Sequence, residues 1–358
     1  MDVTLVEREL ASLWRKEAST DEAVIRASTV NLAVACTDPE DALDAAEVAR
    51  KLSELHPGRV ILMTPGYGSV PDARVETYCH TLGDRRQVSC ELITLEVPPG
   101  HHEMVPTTLL QLLVGDVPLY VWWRRTLTQD DPLLLPLSQM ADRFVFNSSN
   151  SNDPRKALAR VAEQVSYGDG DGHSRGRDLM WVRLDGWREM VASYFDNPRA
   201  LERLTRVARV EIVSGGPATP SGATVAAAYL GGWLASRLGW SPTPEQDVWR
   251  RPDGGKVVFD FEVDPLLKDG RIGRIRLTDD SEEHASFIAE RLGPEIRMVK
   301  LWAEATGFET PPRIERLNRP DDHLLLAGEI ERIDDDAVFA ASLDAAVSIV
   351  GRVVWRGE

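Results

Sequence analysis

Apolar positions along the first sixty residues change period several times, and each change marks an element. Val3, Val6, Leu10, Leu13 and Trp14 recur at helical spacing behind Asp2, which stands where a cap belongs, so the residues up to Lys16 are predicted to form an amphipathic helix. The apolar face of that helix requires a partner. Residues 28–36 form an unbroken run rich in branched side chains, the pattern of a buried strand. Asp38 follows as a cap with Pro39 at the first helical position, and the helix they open runs to Leu55, where His56, Pro57 and Gly58 stop it. Residues 59–63 read as a second buried strand. Strand, helix, strand at this length implies a right-handed crossover between parallel strands, so the chain begins as α/β.

Further strands are predicted over residues 75–81, 89–97, 119–123 and 143–146, with helices over 106–113 and 154–166 and a polar break at 148–153. Residues 168–177 are rich in glycine and poor in apolar side chains, which predicts a flexible linker. It divides an N-terminal α/β domain with a partly parallel sheet, residues 1–167, from a C-terminal α+β domain with a largely antiparallel sheet, residues 178–358. In the second part Leu184, Trp187, Val191 and Tyr194 share one face of a helix that Asn197 and Pro198 end, leaving Arg188 and Glu189 opposite. A strand over 207–213, a glycine-rich turn and a helix over 224–238 come next. Val257, Phe259, Phe261 and Val263 alternate, and Ile275 and Leu277 repeat the alternation beyond an Asp269–Gly270 turn, which predicts an antiparallel hairpin. Strands over 295–302, 313–317 and 324–330 complete the sheet, and a last helix carries Phe339, Leu343, Val347 and Val350 on one face.

With 43% apolar and 27% charged residues in 358, the composition is that of a globular protein with real cores. Charge narrows the function: a net charge of −16 repels nucleic acid and anionic membrane alike, so neither is an expected partner. The first residues lack the basic start and apolar stretch of a signal peptide, and the longest apolar run, 224–235, is shorter than the ~20 residues that span a bilayer, so a cytoplasmic location is expected. Cys36, Cys79 and Cys90 are an odd number without Cys-x-x-Cys spacing, which fits a reducing compartment and predicts neither a disulfide framework nor a zinc site.

A search for catalytic chemistry returns no catalytic residue, no cofactor and no metal. Gly66-Tyr67-Gly68 follows a strand but lacks the third glycine and the helix start of a dinucleotide site, and Gly-Lys-Ser/Thr is absent from the chain. His101-His102-Glu103 meets Pro106 where a zinc helix would need its second histidine, and Asp169 and Asp171 lack the closing glutamate of a calcium loop. No Gly-x-Ser-x-Gly elbow occurs. One weak anion-binding candidate remains: Ser214, Gly215, Gly216, Ser221 and Gly222 lie between a strand and a helix, where free amides and the helix dipole favour an anion. A sugar-phosphate enzyme or a metabolite sensor using residues 214–222 is the alternative function this loop offers.

Two tryptophan-rich stretches, residues 116–125 and 178–189, set large rings beside arginine, the pairing enriched at the centres of protein interfaces. Strand alternation sends one of Trp122 and Trp123 to the core and the other toward the surface, and Trp187 falls on an apolar helix face, while Trp181, Arg183 and Arg188 read as surface residues. The candidate partner-binding set is Trp122, Trp123, Arg124, Arg125, Trp181, Arg183 and Arg188.

From Arg26 to its end the chain resembles the glucose-6-phosphate dehydrogenase assembly proteins, the OpcA proteins. The resemblance runs through residues 26–32, His56-Pro57-Gly58-Arg59, residues 118–123, Ala141-Asp142-Arg143 and residues 178–184 with Trp187-Arg188, in family order and across both halves. It implies a non-enzymatic partner that binds glucose-6-phosphate dehydrogenase, promotes its active oligomer and raises its activity at the entry of the oxidative pentose phosphate pathway. Some family members are tied to thioredoxin-type redox control, and this chain departs from them in having no cysteine after Cys90.

Overall fold

The computed structural model describes residues 2–17, 24–26, 28–82, 86–128, 130–150, 153–166, 176–216, 224–245, 247–268, 270–282, 284–304, 311–332 and 336–352. The chain forms two compact units, each drawn from separated segments: Met1–Asn147, Gln164–Leu179 and Pro320–Asp334 in one, Ser148–Glu163, Met180–Arg319 and Asp335–Glu358 in the other. The linker expected at 168–177 lies outside the described residues as far as 175, and Gly176 with Arg177 stands in a strand.

The first unit is built as expected around a mostly parallel sheet. Its elements are α1 (Val3–Glu17), β1 (Val24–Arg26), β2 (Val30–Ala35), α2 (Pro39–Ser53), β3 (Gly58–Pro65), β4 (Asp72–Leu82), β5 (Arg86–Val97), α3 (Val105–Leu112), β6 (Leu119–Trp123), α4 (Leu134–Met140) and β7 (Arg143–Phe146). Strand β8 (Gly176–Asp178) also belongs to this unit, whereas most of helix α5 (Pro154–Ser166), which precedes it, belongs to the other. The strands run β1-β5-β3-β2-β6-β7-β8, parallel throughout, with β4 added antiparallel to β5. From the central β2 the chain winds to one side through β3 and β5, then returns and winds to the other through β6, β7 and β8. Every residue of β2 and β6 is buried, as a sheet covered on both faces demands. Gly58 does more than end α2: a Cβ there would lie 2.0 Å from the Val30 carbonyl oxygen, so only glycine lets β3 start beside β2.

An ionic knot ties the flank of this sheet. Arg59, 3% exposed, bonds Glu91 at 2.5 Å, Glu7 at 2.7 Å and the Leu112 carbonyl at 2.5 Å, and the Trp14 indole donates to the second Glu91 oxygen at 2.8 Å. The partner for the α1 apolar face is therefore this unit, where Val6 and Leu10 are buried.

The second unit contains α6 (Leu179–Arg183), α7 (Asp185–Ser193), α8 (Pro198–Leu204), β9 (Val207–Ser214), α9 (Val225–Arg237), β10 (Ser241–Pro242), β11 (Val248–Arg250), β12 (Lys256–Val263), β13 (Ile272–Asp279), β14 (Ser286–Arg291), β15 (Met298–Glu304) and β16 (Arg313–Arg316). Helix α10 (Asp322–Glu331) belongs to the first unit, and α11 (Ala337–Arg352) closes the second. The sheet order is β10-β11-β12-β9-β13-β14-β15-β16, antiparallel except for the β9–β12 pair.

Several sequence expectations are corrected here. β12 and β13 are not a hairpin, because β9 lies between them and is parallel to β12, with α9 in the crossover. Alternation reports the period of a strand and not its neighbour. Strand β14 was not expected, and residues 324–330 are helical rather than extended. The run Leu324-Leu325-Leu326 has no branched residue at Cβ and follows an Asp321 cap position, and a short apolar run does not distinguish strand from buried helix. Tertiary contacts hold α10 in place: Glu329, buried, faces Arg177 at 3.5 Å, and Tyr120 donates to the Ile330 carbonyl at 3.2 Å.

Candidate functional site

The winding of the first sheet reverses at β2 and β6, and in an open parallel sheet ligands settle outside the carboxyl ends of the strands at that reversal. Taken from β5 to β8, the strand order β5-β3-β2-β6-β7-β8 is that of the doubly wound Rossmann fold, and the first strand-to-helix turn is Cys36-Thr37-Asp38-Pro39. Where a dinucleotide-binding turn would be glycine-rich, this one is acidic. The Asp38 carboxylate accepts the Glu40 and Asp41 amides, both at 2.9 Å, and these are donors at the helix N-terminus that would otherwise serve a phosphate. Those amide bonds, helped by the Thr37 hydroxyl, hold the Asp38 carboxyl below the usual carboxylate range.

Asp41 accepts the Thr37 amide at 2.9 Å and receives Arg124 at 2.5 Å, and Arg124 also reaches Asp44 at 2.7 Å. The guanidinium lies 4.4 Å from the centre of the Trp122 ring. Burial opposes the charge on Arg124, and its bonds to Asp41 and Asp44 more than offset that. Cys36 beside them is inert at neutral pH, its thiol pushed up to about 12 by burial and by the Asp41 charge. The Asp38 carboxylate thus takes two of the helix-start amides that a pyrophosphate would use, and the neighbouring Asp41 and Asp44 add negative charge beside them. No glycine of the 36–41 turn allows a close backbone approach.

The tryptophans are placed differently from expectation. Trp122 is 2% exposed and Trp123 0%, because β6 is central and both of its faces are covered, so alternation sends neither ring to solvent. Trp123 packs against Phe144 at 5.8 Å between ring centres. Trp181 is corrected from surface to core: it is 4% exposed, donates to Asp336 at 3.1 Å and packs on Phe339 and Tyr229. Arg188 caps it, 3.5 Å above the ring, and bonds Asp185 and the Trp181 carbonyl. Trp187 is core, as its helix face implies. Arg125 pairs with Asp131 at 3.0 Å and is 25% exposed. Arg183, half-buried, lines a cleft in the second unit together with Arg271, Arg291 and Arg319, three residues that no local motif marked.

Of the loop candidates, Ser221 and Gly222 lie outside the described residues. Ser214 is fully buried and its hydroxyl accepts from Thr224 at 2.9 Å, while the Gly215 amide is used by the Arg271 carbonyl at 2.7 Å. Gly216 faces the Thr224 methyl group, which a Cβ there would meet at 2.5 Å. The hydroxyl and the Gly215 amide on which an anion site was expected therefore serve the loop itself. His101 and His102 sit in and before a short turn, and among the described residues no cluster of metal-binding side chains occurs. Among the same residues no helix is long and apolar enough to cross a membrane.

Comparison with known proteins matches residues 49–163 to the N-terminal domain of the glucose-6-phosphate dehydrogenase subunit, and residues 175–343 to the C-terminal domain of that subunit. The putative OxPP cycle protein OpcA of Nostoc punctiforme is 31% identical over 324 residues, covering 84% of this chain and 67% of the relative. That of Synechococcus elongatus is 27% identical over 322 residues, covering 84% and 69%. Among solved structures, the glucose-6-phosphate 1-dehydrogenase of Mycobacterium avium shares the fold, with a TM-score of 0.51 at 10% identity over 91% of each chain.

Proposed function

Because this chain belongs to the OpcA family of glucose-6-phosphate dehydrogenase subunits of the oxidative pentose phosphate cycle, we propose that it is a non-catalytic assembly factor that binds the dehydrogenase in the cytoplasm and activates it allosterically. The observation that carries the non-catalytic reading is the filled switch point. A fold whose usual ligand is a dinucleotide here has Asp38 on the helix-start amides, with Asp41 and Asp44 beside it paired to Arg124. The chain keeps the frame of an oxidoreductase and uses it as a scaffold.

Activation then works by linkage. A partner that binds the active form of the dehydrogenase more tightly shifts that population, and lowers the apparent substrate constant when the active form also binds substrate better. Coupling of the usual size corresponds to an effect of roughly 5- to 150-fold on affinity. Burial withdraws Trp122, Trp123 and Trp181 as contact residues, and of the candidate arginines in the 116–125 stretch Arg125, 25% exposed, is more accessible to a partner than Arg124 at 15%.

The test is the dehydrogenase of the same organism, assayed by NADPH production across a glucose-6-phosphate series with and without the purified chain. A saturable fall in the substrate constant or rise in rate, without turnover by this chain alone, is expected. Turnover by the isolated chain, or no effect on a competent dehydrogenase, would remove the reading.

A further inference from the structure

The second unit contains a small cleft of about 50 Å³, partly open to solvent, whose lining includes Arg183 from α6, Arg271 before β13, Arg291 at the end of β14 and Arg319 after β16. Met180, Leu184, Trp187 and Leu317 form its apolar walls, and among the described residues no carboxylate lines it. In a chain with 57 acidic residues and 41 basic ones, such a concentration of arginine is contrary to the overall charge.

Several arginines of the unit are matched by carboxylates, as Arg203 is by Asp279 and Arg251 by Asp280. Arg271, Arg291 and Arg319 are matched less fully. Among the described residues Arg319 makes no hydrogen bond or ion pair. Arg291 spends Nε and Nη1 on the Ile272 and Ile296 carbonyls, both at 3.0 Å, and has no carboxylate partner among those residues. Arg271 pairs with the exposed Glu295 at 3.0 Å, outside the lining, and its Nε is buried without a partner. Burial, together with the charges of Arg271 and Arg319, pulls the Arg291 guanidinium down to about 10, and burial with the charges of Arg271, Arg183 and Arg297 pulls Arg319 down as well. The cluster repels itself, and an anion would relieve the repulsion.

We propose that this cleft binds a small phosphorylated ligand, its phosphate taken by the guanidinium groups of Arg271, Arg291 and Arg319 with Arg183 beside them. A phosphate monoester has up to two negative charges and three terminal acceptor oxygens, which suits several forked donors in a way that a single carboxylate does not. Ser149, Asn318 and the Trp187 wall are suited to the hydroxyls and carbon frame of the ester's organic part, which would extend from the cleft toward solvent. This site is separate from residues 214–222, and it does not depend on activation of the dehydrogenase.

The test is calorimetric titration and thermal unfolding of the full chain at constant ionic strength, with inorganic phosphate, a hexose phosphate and the same hexose without phosphate as probes. Both phosphate-bearing probes should bind and raise Tm, and the neutral hexose should not. Arg319→Gln should weaken phosphate binding about tenfold or more, while its ligand-free Tm stays level or rises because one repelling charge is gone. Arg319→Lys should restore part of the binding. Absence of phosphate binding, or equal binding by wild type, Arg319→Gln and Arg291→Gln, would overturn the proposal. So would a wild type that ignores phosphate while Arg319→Gln weakens association with the dehydrogenase, since the cleft would then receive a partner's carboxylate. Association of the chain with the dehydrogenase, measured without substrate or other phosphate esters, reports on the assembly function separately.

Discussion

Arg124 lies over the Trp122 ring and bonds Asp41 and Asp44, so a charged residue that looked available from the sequence is committed within its own unit. The rings beneath are packing residues. Trp122→Ala is expected to lose about 3–5 kcal/mol of stability, as large aromatic truncations in a core do, and chemical denaturation measures it. A loss below about 1 kcal/mol, with weakened dehydrogenase binding, would return Trp122 to the surface. Arg59 makes a second residue-scale case. Arg59→Ala leaves Glu91 buried without its cation and should cost about 3–5 kcal/mol by the same measurement, whereas exposed pairs such as Lys256–Glu245 should cost little. Asp38 and Pro39 were legible as a cap and a helix start, because capping is local chemistry. That the same cap fills a ligand position was not legible, since the position exists only where β2 and β6 lie side by side.

Between elements, α9 and α11 show how close approach depends on a missing side chain. A Cβ at Gly232 would stand 2.3 Å from the Ser342 carbonyl oxygen and 2.7 Å from the Ala346 amide nitrogen. Gly232→Ala should therefore push the helices apart and cost about 1–3 kcal/mol despite alanine's better helix propensity, and a rise in Tm would contradict this packing. At the turn joining β11 to β12, Arg251 ties the loop to the sheet edge, bonding Asp253 at 3.0 Å and Asp280 at 2.6 Å. Burial alone would raise the Asp280 carboxyl, but bonds from Arg251 and Arg206 outweigh it and hold the pKa below its usual value. A depressed carboxylate contributes stability that is complete above the unfolded value of ~4 and is lost as pH falls through the folded value. Asp280→Asn should accordingly flatten the acid limb of a Tm-against-pH curve, and an unchanged slope would remove Asp280 from that limb.

For the whole molecule, the acidic turn of the first unit and the arginine cleft of the second are expected to treat phosphate in opposite ways. NADPH added to the full chain should give no fluorescence change attributable to binding at the β2–β6 switch point, and a stoichiometric wild-type signal that Arg319→Gln does not weaken and Asp38→Ala does not strengthen would refute the filled-site argument. The sequence by itself determined the crossover unit, the helix starts at Asp38–Pro39 and the buried strands at β2 and β3, because each follows from period, capping and burial over a few residues. It also carried the family, whose landmarks are short and ordered along the chain. Tertiary structure alone decided that β9 separates β12 from β13, that residues 322–331 form a helix belonging to the first unit, and that both Trp122 and Trp123 are covered. Only the folded chain brings Arg183, Arg271, Arg291 and Arg319 to one cleft. The physical reason is range: helix and strand periods are properties of neighbours in sequence, whereas strand partners, burial on a second face and summed charge depend on residues far away along the chain.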